Sequence, residues 1–317
     1  MNVTQFKNYI IGLTLSIGLF PSCGNKPSDD AYKQQARYFA ADESLSPIID
    51  EELDIFHMKS KRDSIHPLYI SEQEAIDKLM NREVLLVFTT RALTPKEEDF
   101  LKQQQYRPRS IALAYDALAL IVNKANPDTL ITVDNFRRIM AGEVTRWNEL
   151  YPDSKLGTIR VAFDNPKSST VRYCVDSILR GKEMKTSGNI RAVQNSRAVI
   201  DYVERHKDAI GIVGSMWLND QRDTTNATYG RNIRVMQVSK ADVATPQNSY
   251  DPSQYNIAYD NYPFIRTVYA IVTDPRSNGE ARGLGNFCVL PDGQLVFFQA
   301  GLFPARAEYS VRDVVIH

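Results

Sequence analysis

Apolar residues recur three and four positions apart over residues 51–56, 72–80, 133–140, 170–179 and 196–205. Short, mostly apolar runs fall at 84–88, 111–114, 118–122, 159–163, 209–213 and 267–272. The first spacing lays side chains along one face of a helix, and the second suits strands buried on both faces. Two further helices are predicted at 279–290 and 292–301. Strand and helix alternate, with folded sequence beginning near Arg37, which is the pattern of an α/β fold with mostly parallel sheets. Residues 219–262 are rich in Asn, Asp, Thr, Gln and Tyr and have weak periodicity, so they read as an irregular stretch with one strand at 233–238. The chain has no internal repeat.

At 317 residues and 43% hydrophobic content the chain has room for two domains with real cores. Lys7, the apolar run 10–20 and small Ser22 before Cys23 form a targeting segment too short to span a bilayer. Leu19-Phe20-Pro21-Ser22-Cys23-Gly24 resembles a bacterial lipobox, implying cleavage before Cys23 and a lipid on its sulfur; an uncleaved anchor or plain secretion is the alternative. The polar residues that follow read as a tether. Cys174 and Cys288, far apart in apolar surroundings, read as buried thiols.

Charge is balanced at 38 basic and 38 acidic residues, and loss of residues 1–22 removes only Lys7, so the mature chain stays near neutral. That excludes the broad basic surface needed for nucleic acid. His57, His66, His206 and His317 do not cluster at metal-ligand spacing, and neither a nucleophile elbow nor a phosphate-binding P-loop is present. No catalyst, metal or cofactor is expected.

One segment carries specific chemistry. Val-Ala-Phe-Asp-Asn-Pro-Lys-Ser-Ser-Thr-Val-Arg, residues 161–172, is a strand, a Pro turn and a helix opened by three hydroxyl residues. The first amides of a helix lack internal partners and carry partial positive charge, so such a start holds an oxyanion; an ordinary Ser cap is the alternative reading. Trp147 and the aromatics of 255–269 read as core.

Several segments, in order, resemble the phosphate-binding proteins of ABC importers. They are Glu43-Ser44-Leu45-Ser46-Pro47, the segment 87–94, the crossing 111–123, and 130–150 with its Gly turn and Trp147-Asn148-Glu149-Leu150; Ser168-Ser169-Thr170, 208–214 and 262–266 follow. The resemblance implies a type II periplasmic-binding-protein-like fold of two lobes with mixed, mostly parallel sheets and a ligand cleft between them. Residues 1–22 become the leader, 23–36 the tether, 37–112 with 263–317 lobe I, and 113–262 lobe II.

Carried over by position, the resemblance implies that the Ser44 hydroxyl and Leu45 amide contact the ligand from one lobe and Ser168, Ser169 and Thr170 from the other. Ser169 stands where the family has Gly. The family's Asp after the Thr or Ser of the second segment is here Arg91, and its Arg four residues before Ser-Gly-Thr is here Asp164. If the pair keeps its joint task with signs exchanged, Arg91 grips the anion and Asp164 accepts from a protonated oxygen, which suits hydrogenphosphate and repels sulfate. The alternative is an ordinary interlobe ion pair, or two charges that face solvent. Thr90 and Asp116 are secondary candidates, with Arg266, Ser71 and Lys167 weaker. The implied function is a lipid-anchored, monomeric receptor of the bacterial envelope, holding phosphate or a similar oxyanion for an importer's membrane subunits. A surface adhesion, sensing or scaffold protein without tight anion binding is the other reading.

Overall fold

The computed structural model describes residues 29–60, 65–185, 188–218 and 232–306. The expected leader, Cys23 and residues 24–28 lie outside them, as do 307–317 and the portion 219–231 of the expected irregular stretch.

Thirteen strands are described: β1 (Tyr38–Asp42), β2 (His66–Ile70), β3 (Leu86–Thr89), β4 (Arg109–Asn123), β5 (Leu130–Thr132), β6 (Arg160–Phe163), β7 (Ile190–Ala192), β8 (Ala209–Gly214), β9 (Ile233–Val235), β10 (Gln237–Ser239), β11 (Ser249–Tyr250), β12 (Ile265–Val272) and β13 (Phe303–Pro304). Ten form one sheet whose main path runs β2-β1-β3-β12-β4-β8-β6-β7, with β9 and β13 also on β4; β11-β10-β5 form a small second sheet. Pairing is parallel on the flanks, among β2, β1 and β3 and among β8, β6 and β7. It is antiparallel in the centre, where β12 lies between β3 and β4 and β4 joins β8.

The long strand β4 organises this centre. The two apolar runs at 111–114 and 118–122 predict two strands, yet the chain extends continuously from Arg109 to Asn123. The polar interruption is Asp116, and Arg266 of β12 lies opposite it in register, so its charge is balanced without breaking the ladder. Up to Ala117, β4 pairs with β12, and from Leu118 onward with β8. This partner change falls slightly beyond the boundary expected at 112. Two apolar cores flank it: one gathers Phe39, Ile48, Ile49, Phe88, Val268 and Phe297, the other Leu120, Phe136, Trp147, Phe163, Ile212 and Tyr262.

The helices Glu72–Met80, Val133–Met140 and Ser196–Arg205 stand at the predicted bounds. The expected helix 51–56 begins earlier, as Ser46–Lys59, with Pro47 in its first turn. The expected helix 170–179 is α-helical over Ser169–Tyr173 and widens to a π-helical turn over Cys174–Ile178. The expected strand 233–238 is two strands, because β9 pairs with β4 while β10 pairs with β5. The last two helices are Glu280–Phe287 and Pro291–Gln299. Trp147, Cys174 and Cys288 are fully buried, and both cysteines are free thiols.

The tether needs correcting over its second half. Residues Asp29–Ala36 form a helix, and its four-residue spacing places Tyr32 and Ala36 together in the first core. The Tyr32 hydroxyl donates to the Asp274 carboxylate at 3.2 and 3.3 Å, and Arg276 lies over the Tyr32 ring. Packed structure is therefore present before Arg37.

Candidate functional site

Two helix openings meet at the centre of the molecule. β1 ends at Asp42, whose carboxylate Oδ1 accepts from the Ser44 amide at 2.8 Å and starts the turn Glu43–Leu45 that leads into Ser46–Lys59. On the other side β6 ends at Phe163, and after the turn at Asn165 the Ser168 hydroxyl caps the next helix by accepting from the Val171 amide at 3.3 Å. Ser44 and Ser169, 125 residues apart, bring their hydroxyl oxygens to 3.2 Å. Asp42 spans the same junction, since its Oδ2 accepts from the Ser169 amide at 3.1 Å. The amides of both helix openings thus share one carboxylate.

Arg266 supplies the cation. Its Nη1 donates to Ser169 Oγ at 2.7 Å, its Nη2 to Ser44 Oγ at 3.1 Å and its Nε to Asp116 Oδ2 at 2.8 Å. The other Asp116 oxygen accepts from the Ser215 hydroxyl at 2.8 Å. A guanidinium held by a carboxylate on one edge presents its two remaining nitrogens in a fixed fork, the geometry that recognises oxyanions. Gly214 leaves room for this fork: a Cβ there would lie 2.9 Å from Arg266 Nη2. Arg266, Asp116, Ser44 and Ser169 are all buried.

The exchanged pair is arranged otherwise than the sequence suggests. Arg91 forms a two-pronged salt bridge with Glu97, at 2.7 and 2.8 Å, and donates again to the Ala92 carbonyl. With those donors spent six residues away in its own segment, Arg91 is neither part of the hydroxyl cluster nor an interlobe partner of Asp164; the cation in that place is Arg266. Asp164 does sit at the helix opening. Its Oδ1 accepts from the Thr170 hydroxyl, which lies 2.7 Å from Ser168 Oγ, and its Oδ2 is buried without a protein partner. Thr90 is tied to Glu72, its amide and hydroxyl donating to Oε1 at 2.7 and 2.9 Å. Arg172 ion-pairs with the same Glu72. Leu45 is buried in the first core, and the carbonyl of Ser44 before it accepts from Trp217 Nε1 at 2.9 Å.

Burial crowds these acids. Asp42 is pushed up to about 6, first by burial and then by Glu72 and Asp164. Glu43, also raised by burial, to about 7, accepts from the Ser196 amide and hydroxyl at the start of the helix Ser196–Arg205. Burial likewise raises Asp164. Arg266 is held more firmly protonated by Asp116 and Asp42 against the opposing effect of its burial. The arrangement is a closed, water-poor cluster of hydroxyls, amides and carboxylates around one arginine.

This mixed α/β fold around a curled sheet is a PBP-like architecture. The chain belongs to the PBP superfamily, whose domain model matches residues 34–291. Among proteins similar to it, the phosphate-binding protein PstS of Borreliella burgdorferi is 24% identical over 303 residues, covering 93% of this chain and 97% of that one. Protein SphX of Synechococcus elongatus is 23% identical over 275 residues, covering 85% and 78%. Among solved structures, a putative phosphate ABC transporter substrate-binding protein from Clostridium perfringens, with bound phosphate, superposes with a TM-score of 0.69 at 19% identity, covering 85% of this chain and 99% of that one.

Proposed function

We propose that this chain captures inorganic phosphate between its lobes and delivers it to the membrane subunits of an ABC importer. The observation that carries the reading is the convergence of Ser44 and Ser169, hydroxyls from two helix openings, on one buried arginine fork. The printed identities of its relatives, a phosphate-binding protein and a phosphate importer's substrate-binding protein, point the same way. They lend no support to a scaffold or adhesion role.

Ser44, Ser168, Ser169 and Thr170 donate hydroxyls, the Leu45 and Ser169 amides add main-chain donors, and Arg266 carries the positive charge. Asp164, with its unpartnered oxygen, accepts from a protonated phosphate oxygen; sulfate has no proton to give and meets only repulsion. Because Ser44 Oγ and Ser169 Oγ lie 3.2 Å apart, the lobes must part to admit a tetrahedral anion between them. No step in this scheme needs bond making or breaking, so the protein acts as a receptor rather than an enzyme.

Calorimetric titration of the mature protein is expected to show saturable phosphate binding near micromolar, about −8 kcal/mol, and none with sulfate. Silence with both anions would sink the reading. The protein works, in the same proposal, as a monomer tethered to a bacterial envelope membrane by a lipid on Cys23. Cys23→Ala is expected to move it from the membrane fraction to the soluble one, and retention of the variant in the membrane would remove the anchor.

A further inference from the structure

We propose that Asp42 is a resident competitor for the anion site: its carboxylate already holds main-chain donors from both helix openings, and phosphate enters by displacing it. The inference rests on the phosphate reading above and adds to it a residue that sets affinity from within the chain.

The geometry is that of a bound oxyanion supplied by the protein itself. Asp42 Oδ1 takes the Ser44 amide at 2.8 Å and Oδ2 the Ser169 amide at 3.1 Å, while the hydroxyls of the same two residues are the ones gripped by Arg266. The Ser169 amide cannot serve Asp42 and a ligand at full strength together. Every charged group around Asp42 bears on the exchange. Glu43 follows it in the chain, Glu72 opens the helix Glu72–Met80, and Asp164 begins the turn after β6; against them stand Arg266 on β12, itself paired with Asp116 on β4, and Arg172, paired with Glu72. Among the described residues, Asp42 thus meets Glu72 and Asp164 against Arg266 before any ligand arrives. An anion added to that surplus is accommodated most readily when Asp42 leaves as the neutral acid, so capture takes up a proton on Asp42.

The sign follows from the raised value of Asp42, about 6, caused chiefly by its burial. Below it the competitor is already neutral. Above it each pH unit weakens phosphate binding by about tenfold, the free-energy equivalent of one unit.

The test compares phosphate titrations of the wild type and Asp42→Asn from pH 5.5 to 8, in buffers of differing ionisation heat. The asparagine oxygen still accepts from Ser44, but its amide group cannot accept from Ser169. Both proteins share phosphate's own protonation, so the difference between them isolates Asp42. At pH 7.5 the variant is expected to bind roughly thirtyfold more tightly, at tenfold per unit above about 6, and to take up one proton fewer. Asp42→Ser serves as a second variant if the first does not fold. Equal affinity and equal proton uptake, with phosphate bound by both proteins, overturns the competitor and leaves the receptor standing. Failure of both proteins to bind phosphate at any pH overturns the receptor as well, whereas binding that appears only in the variant supports the competitor.

Discussion

Replacing Arg266 with methionine is expected to destabilise the free protein by about 3–5 kcal/mol, the usual consequence of removing one member of a buried ion pair, and to abolish phosphate binding. The methionine keeps the length of the apolar stem, so the change reports on the guanidinium rather than on a cavity. What remains is Asp116, buried opposite the missing charge, together with Asp42 and Asp164, both of which Arg266 also stabilises as anions. Denaturant unfolding with and without phosphate reads both effects. Adding Asp116→Asn should return part of the stability, because it removes the stranded carboxylate, but none of the binding. Arg266→Lys keeps the charge and loses the fork, so it should fold better than the methionine variant and still bind poorly. A methionine variant within about 1 kcal/mol of wild type would mean that the pair does not hold the junction together.

Replacing Glu52 with methionine is expected to have a large effect of the opposite sign, a gain of about 2–4 kcal/mol at neutral pH, comparable to the cost of an unsatisfied buried carboxyl. Glu52 is fully buried in the helix Ser46–Lys59, neither of its carboxyl oxygens has an oxygen or nitrogen partner, and the carboxyl faces the Cys288 thiol. Burial pushes its pKa well above the ordinary value of 4.5. A carboxyl raised in the folded state favours folding when protonated, and this advantage is lost as pH rises from the ordinary value through the raised one. The stability gap between variant and wild type should therefore widen from about pH 4.5 toward neutrality. Parallel unfolding curves at acid and neutral pH measure it, and a constant gap would show that Glu52 does not change charge on folding.

The helical part of the molecule was legible because its signals are local. In Glu72–Met80 the buried positions Ala75, Ile76 and Leu79 lie on one face, and Ser71 with Glu74 forms a reciprocal cap at the start. The helix Pro95–Gln103 escaped notice because Leu101 is its one buried side chain, although Thr94-Pro95-Lys96-Glu97 carries the same cap in plain sight. β1 was missed for a related reason: Tyr-Phe-Ala-Ala-Asp is short and ends on an acid whose burial depends on distant partners.

The candidate site was half legible. Ser168, Ser169 and Thr170 read as a helix opening from hydroxyls after a Pro turn, and Ser44 enters through the resemblance; the structure brings Ser44 and Ser169 together. Arg266 is legible only as a weaker candidate, since it stands one residue before the apolar run at 267–272, and nothing nearby announces that Asp116 will lie opposite it 150 residues away. Arg91 drew attention through its position in the resemblance, while Glu97, one turn into the next helix, was the partner that claimed it. Charges in sequence show what is available; only register and packing decide which of them meet.

A last consequence comes from β4. Its fifteen residues contribute hydrogen bonds to the sheet in both halves, to β12 and β13 at one end and to β8 and β9 at the other. Neither half is a detachable module, because excising one strips the other of its middle rung. Any parting of the two halves would have to be taken up as torsion along this shared beam, the same backbone that carries Asp116.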